Sequence, residues 1–139
     1  MKQAIVRIAL MVRNYDEALE FYTQKLGFEV LSDAPMSEDK RWVEICPPNS
    51  QGTALVLSKA TDAQQEAFVG NQAAGRVLLF LGTDDFYGDY NRMKEAGVEF
   101  LSEPNVHDYG TVAVFKDLYG NLFDLIQFSE DHPMNARIR

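Results

Sequence analysis

Side chains able to do chemistry are few in this chain, and their spacing excludes more than it supports. There is one cysteine, Cys46, and there are two histidines, His107 and His132. Cys46 precedes Pro47-Pro48 at an expected strand end. It reads as a nucleophile or, as free cysteines more often do, as a small buried apolar residue. His107 lies in an expected loop, Asn105-Val-His-Asp-Tyr109-Gly110. There an imidazole acts as a general base at a pocket rim or stands in solvent. His132 falls in the terminal stretch and is assigned no role. Trp42 and Glu44 share one face of an expected strand, and an aromatic plane beside a carboxylate suits a small amphipathic ligand. The alternative is Trp42 in the core and Glu44 at a wet edge. Arg76 and Tyr109 are further rim candidates. No phosphate-binding glycine loop, CxxC pair or nucleophile elbow is present, which argues against nucleotide cofactors, a structural zinc and hydrolase chemistry.

The chain that must position these groups has 139 residues, 46% hydrophobic and 12% aromatic, enough for one domain with a real core. Its net charge of −8 repels phosphate backbones and anionic lipid, so neither nucleic acid nor a membrane is an expected partner. The same charge would favour cationic ligands, weakly. A single cysteine allows no internal disulfide. The apolar run at residues 4–12 contains Arg7, is too short to span a bilayer and precedes no cleavage pattern. The expected location is cytoplasmic.

Residues 4–12 read as a strand buried on both sides, in which Arg7 alone needs an explanation. Asn14 with Glu17 predicts a helix N-terminus, and Tyr15, Ala18, Leu19, Tyr22 and Leu26 recur at helical spacing up to Gly27. Strands are expected at 28–31, 41–46 and 53–58. Thr61 with Gln64 predicts a short helix over 62–69 that ends at Gly70, and 71–75 reads as a linker. The pattern then restarts. A strand at 77–81 precedes a helix capped by Thr83 or Asp84 and ended by Gly97, with strands at 98–101, 111–116 and 121–128. Between the last two, Asp117-Leu-Tyr-Gly120-Asn121 reads as a hairpin turn with positive φ at Gly and Asn. Phe80, Phe86, Tyr87 and Tyr90 read as helix-on-sheet packing, and the residues after Glu130 as a loose tail.

The two halves therefore share one order: strand, helix, strand, strand, strand. Gly27-Phe-Glu-Val-Leu31 falls on Gly97-Val-Glu-Phe-Leu101, and Ala54-Leu-Val-Leu57 on Leu122-Phe-Asp-Leu125. Internal similarity over most of a chain outweighs any one motif. It predicts an α+β domain of two tandem βαβββ modules: module one about 1–60, a linker with its helix about 61–75, module two about 76–130 and a tail. Each sheet has one face under its helix and one face bare, and the bare faces of two curved sheets would line a cup for a ligand.

Asn14-Tyr-Asp-Glu-Ala-Leu-Glu-Phe-Tyr22 with Lys25-Leu-Gly-Phe28, and Asp117-Leu-Tyr-Gly-Asn-Leu-Phe-Asp-Leu125, give the chain its resemblance to the vicinal oxygen chelate superfamily. This is the superfamily of glyoxalases, bleomycin resistance proteins and extradiol dioxygenases. The resemblance implies a small organic substrate or ligand, lyase-, isomerase- or dioxygenase-type chemistry or drug sequestration, and a homodimer. It also implies one divalent metal held by His, Glu or Gln from the first and last strands of each module. Those positions here are Arg7, Val56, Val77 (or Leu78) and Asp124, and only Asp124 offers a ligand atom. No metal and no other cofactor is therefore expected. If Arg7 and Asp124 both point into the cup, the guanidinium takes the place of the metal's charge. The pair then either grips a carboxylate or carbonyl ligand or closes a vestigial site. The candidate ligand-binding set is Arg7, Trp42, Glu44, His107 and Asp124.

Overall fold

The computed structural model describes residues 1–138. The chain forms two compact units, Met1–Val69 and a second that starts at Gly70. In the first unit β1 (Arg7–Val12), α1 (Tyr15–Glu20), β2 (Glu29–Pro35), β3 (Arg41–Cys46), β4 (Ala54–Lys59) and a single turn α2 (Ala63–Glu66) follow one another. In the second the order is β5 (Val77–Gly82), α3 (Phe86–Glu95), β6 (Asn105–His107), β7 (Gly110–Lys116), β8 (Leu122–Phe128) and a 3-10 helix, Pro133–Arg137. The sheets run β1-β4-β3-β2 and β5-β8-β7-β6. In each, the first and last strands of the module pair in parallel, and the remaining pairs are antiparallel. The same βαβββ topology thus occurs twice in tandem, an α+β fold.

Helix α1 starts where its cap predicts: Asn14 Oδ1 accepts the Glu17 N–H at 3.0 Å, and Asp16 and Glu17 face the positive end of the helix dipole. Tyr15, Ala18, Tyr22 and Leu26 are buried as the spacing requires. The helix does not stay α to Gly27, however. It widens into a π turn over Phe21–Lys25, where the Thr23 hydroxyl donates to the Leu19 carbonyl at 2.7 Å and competes with the regular ladder.

Two other caps shift by a residue or two. Asp62, not Thr61, accepts the Gln65 N–H at 2.8 Å, and the Gln65 side chain reaches back to the Thr61 N–H at 2.8 Å. Asp85, not Thr83 or Asp84, caps α3 through the Gly88 N–H at 3.2 Å. Thr83 instead accepts the Asp85 N–H and donates to Asp89, at 3.0 and 2.6 Å.

The expected strand at 98–101 reduces to one bridge, Phe100 to Phe115. Phe100 turns into the core against Tyr90 and Phe115, with ring centroids 4.6 and 5.5 Å away, and Pro104 follows without an N–H to give. Pairing resumes at β6, so His107 stands on an edge strand rather than in a loop. In the β7–β8 turn only Gly120 has positive φ, +101°. Asn121 contributes through its side chain: buried Asp117 accepts the Tyr119 and Asn121 N–H groups at 2.9 and 2.8 Å and the Asn121 amide at 2.9 Å. The tail is not loose through residue 138, since Ile138 packs on Gly82 and His132 Nδ1 accepts the Met134 N–H.

Alternation sorts each sheet into two faces. In the first, Leu10, Val12, Val43, Ile45, Leu55 and Leu57 form the core with α1, all 5% exposed or less. Burying each such side chain contributes roughly 1.5–3 kcal/mol. Arg7, Ala9, Met11, Trp42, Glu44 and Val56 lie on the opposite face, away from α1, where Gln65 of α2 borders Met11 and Val56. β1 is therefore not buried on both sides. It is an edge strand whose first half, including Arg7 and Ala9, is exposed.

Candidate functional site

Three of the five candidate side chains meet on the open face of the first sheet. Arg7 Nε–H donates to Glu44 Oε2 at 2.6 Å, and Trp42 Nε1–H donates to Glu44 Oε1 at 3.2 Å. The Arg7 guanidinium carbon also lies 5.4 Å from the centroid of the Trp42 ring, in cation–π range. Register explains the meeting. Trp42 and Glu44 are two residues apart on β3, and the row Glu44–Val56–Ala9 crosses the sheet to β1, two residues from Arg7. The Glu44 side chain is 10% exposed and that of Arg7 is 52% exposed. Glu44 is thus a nearly desolvated carboxylate held by a cation whose outer nitrogens reach water. The anticipated carboxylate for Arg7 was Asp124; the partner it takes is Glu44, from its own unit.

A groove of about 520 Å³ continues from this cluster. Met11, Trp42 and Val56 give it an apolar wall, with Tyr15, Arg41 and Lys59 among its border. The β2–β3 connection edges it and is tied down at Arg41. That guanidinium donates to Asp33 at 2.7 Å and to Asp16 at 2.8 Å, and lies 5.2 Å from the Tyr15 ring centroid. Asp33 first, then Asp16, hold Arg41 more firmly protonated than a free guanidinium. Sequence reading missed Arg41, Lys40 and Lys59, because no local periodicity signals a contact made across sheet and helix.

In the second unit Asp124 lies on the open face of its sheet, between Phe80 on β5 and Val114 on β7. A bulge between Val77 and Leu79 puts Phe80 on this face. Phe80 is 68% exposed and Tyr87 53% exposed, so neither packs between helix and sheet as expected, whereas Phe86 and Tyr90 do. His107 stacks on Tyr109 with centroids 5.0 Å apart, both exposed. Cys46 is buried, which pushes its thiol up and makes it inert as a nucleophile.

Burial alone raises the Asp124 carboxyl above its ordinary value of 3.8. The folded chain then holds this proton more tightly than the unfolded chain, so ionisation subtracts stability as pH rises through that range. Asp124→Asn is expected to raise Tm at about pH 7 and to change it little at about pH 3, where both states keep the proton. An equal gain at both pH values would rule out ionisation as the cause.

Of the residues that the resemblance assigns to a divalent metal, Arg7 and Val56 in the first unit and Val77 (or Leu78, in the bulge) and Asp124 in the second, only Asp124 carries a ligand atom. This donor set does not fit a cation. Among the described residues no group of three or more His, Cys, Asp or Glu is close enough to hold one elsewhere. No helix among them is long and apolar enough to cross a membrane.

Known proteins share this architecture. An uncharacterised protein of Shewanella frigidimarina is 55% identical over 96% of this chain and 100% of its own. A probable lactoylglutathione lyase of Vibrio cholerae is 27% identical over 92% of this chain and 93% of its own. The crystal structure of TnmS3, an antibiotic binding protein from Streptomyces sp. CB03234, superposes with a TM-score of 0.74 at 29% identity, covering 93% of this chain and 98% of that one. The Glyoxalase/Bleomycin resistance protein/Dioxygenase family model matches residues 4–125, and the chain belongs to that superfamily.

Proposed function

We propose that the protein binds a small organic molecule with an aromatic portion on the open face of the first sheet, against Trp42, without a divalent metal. The observation that carries this reading is the Arg7–Glu44–Trp42 cluster beside the groove. Glu44 fixes the indole through its N–H, so the ring is oriented before a ligand arrives and little side-chain freedom is lost on binding. Arg7 keeps its outer N–H groups for a carbonyl of the ligand. The likeness to an antibiotic binding protein supports sequestration as the purpose.

Trp42 is the only tryptophan, so its emission reports on the site. Aromatic ligands are expected to quench it saturably and to raise Tm equally with and without EDTA, and Trp42→Ala is expected to abolish the Tm gain. Stoichiometric divalent metal in protein purified from metal-supplemented medium would sink the metal-free reading.

Catalysis is the second reading, favoured by one observation: Asp124 is a partly desolvated carboxyl whose proton is held more tightly than usual, a shift in the direction that a general acid needs. It requires turnover by metal-free protein that Asp124→Asn removes.

A further inference from the structure

The whole chain carries −8, a balance that would suit cationic ligands. The groove beside Trp42 inverts that balance. Its lining includes Lys40, Arg41 and Lys59 against a single carboxylate, Asp39. Arg41 is already satisfied by Asp16 and Asp33. Neither Lys40 nor Lys59 makes an ion pair through its ammonium group with any described residue. Two uncommitted ammonium groups therefore border an apolar wall of Met11, Trp42 and Val56.

We infer that this groove selects an aromatic or polycyclic anion, a carboxylate or sulfonate on a flat apolar body. The flat body fits against Trp42 and Met11, and the acid group meets Lys40 and Lys59. The inference rests on the proposed binding site at Trp42 and adds the charge class of its ligand. A smaller hollow of about 210 Å³ adjoins the groove and adds Asp16 and Glu38, with Tyr15, Asp39, Arg41 and Lys59 common to both. Its carboxylates repel an anion that strays from the groove and partly neutralise Lys59. Lys40 is therefore the stronger of the two contacts.

The test compares three probes of one shape: naphthoate, naphthylmethanol and naphthylmethylammonium, each titrated against Trp42 emission at low and high salt. Two exposed ion pairs together are worth about tenfold in affinity, so naphthoate is expected to bind about tenfold more tightly than the neutral probe. That preference shrinks as salt is raised. Lys40→Gln with Lys59→Gln removes the preference for naphthoate over naphthylmethanol, and Lys40→Gln alone removes most of it. If the neutral or cationic probe binds as well as naphthoate, the inference is overturned while the binding site stands. If no probe of any charge perturbs Trp42, the site itself is wrong, and the inference falls with it.

Discussion

Arg7→Ala is expected to destabilise the protein by about 2 kcal/mol, and Glu44→Gln by less than about 1 kcal/mol, although the two residues share one ion pair. The asymmetry follows from burial. Glu44 is 10% exposed and Arg7 is 52% exposed at their side chains. Removing the guanidinium strands a nearly buried carboxylate with only the Trp42 N–H, 3.2 Å away, to answer it. A fully buried pair broken in this way loses 3–5 kcal/mol, and water at the Arg7 end screens part of that. Glu44→Gln keeps the shape and an oxygen for the indole, and its Arg7 partner falls back on water. Adding Glu44→Gln to Arg7→Ala is therefore expected to restore more than half of the lost stability, a coupling that urea denaturation of the two single variants and the double variant measures. Strictly additive losses would show that the pair contributes packing alone. The same variants speak to function. Glu44→Gln is expected to leave Trp42 oriented and ligand quenching intact, while Arg7→Ala weakens carbonyl-bearing ligands specifically.

The architecture was legible because it rests on patterns internal to the chain. Asn14, Gly27 and the apolar spacing between them give α1, Pro47-Pro48 stop β3, and the second half repeats the first. The site was legible only in part, and for a physical reason. Trp42 and Glu44 lie two apart on one strand, a local fact, so their shared face could be read directly. Their meeting with Arg7 depends on β1 pairing with β4 and β4 with β3, and on Glu44 being long enough to cross the Val56 row. None of this is periodic. Arg7 was accordingly given the other acidic residue that the family positions suggested, Asp124. Phe80 failed for a different reason. β5 is apolar on both faces, so alternation carried no information, and the bulge at Val77–Leu79 reset the face without leaving a glycine or proline to mark it. The groove lysines sit at strand ends and in a connection, where sequence patterns say least.

Gly70→Ala is expected to lower stability by about 3 kcal/mol, and Gly75→Ala by about 1 kcal/mol, though both glycines have left-handed backbones. Their φ angles are +74° and +89°, so the conformational penalty of adding a Cβ is similar at the two sites. Their surroundings differ. A Cβ on Gly70 would lie 1.9 Å from the Tyr119 carbonyl oxygen and 2.7 Å from its carbon, both backbone atoms, whereas a Cβ on Gly75 meets nothing within 4 Å. Tyr119 belongs to the turn held by Asp117 and Asn121, and its N–H is already bonded to Asp117 at 2.9 Å. The carbonyl cannot retreat without loosening that buried network, which joins β7 to β8 and so fixes the register that carries Asp124. Steric conflict therefore adds to backbone strain at Gly70 only. In a chain of this length about 3 kcal/mol corresponds to a fall of roughly 10 °C in Tm, and about 1 kcal/mol to roughly 3 °C, both within reach of a simple thermal scan. Equal losses at the two positions would mean that the turn yields freely and that Gly70 is required for its dihedral alone. A larger loss at Gly70, accompanied by faster amide exchange at Asn121, would show that the close approach of Gly70 to the turn helps hold β8 in place.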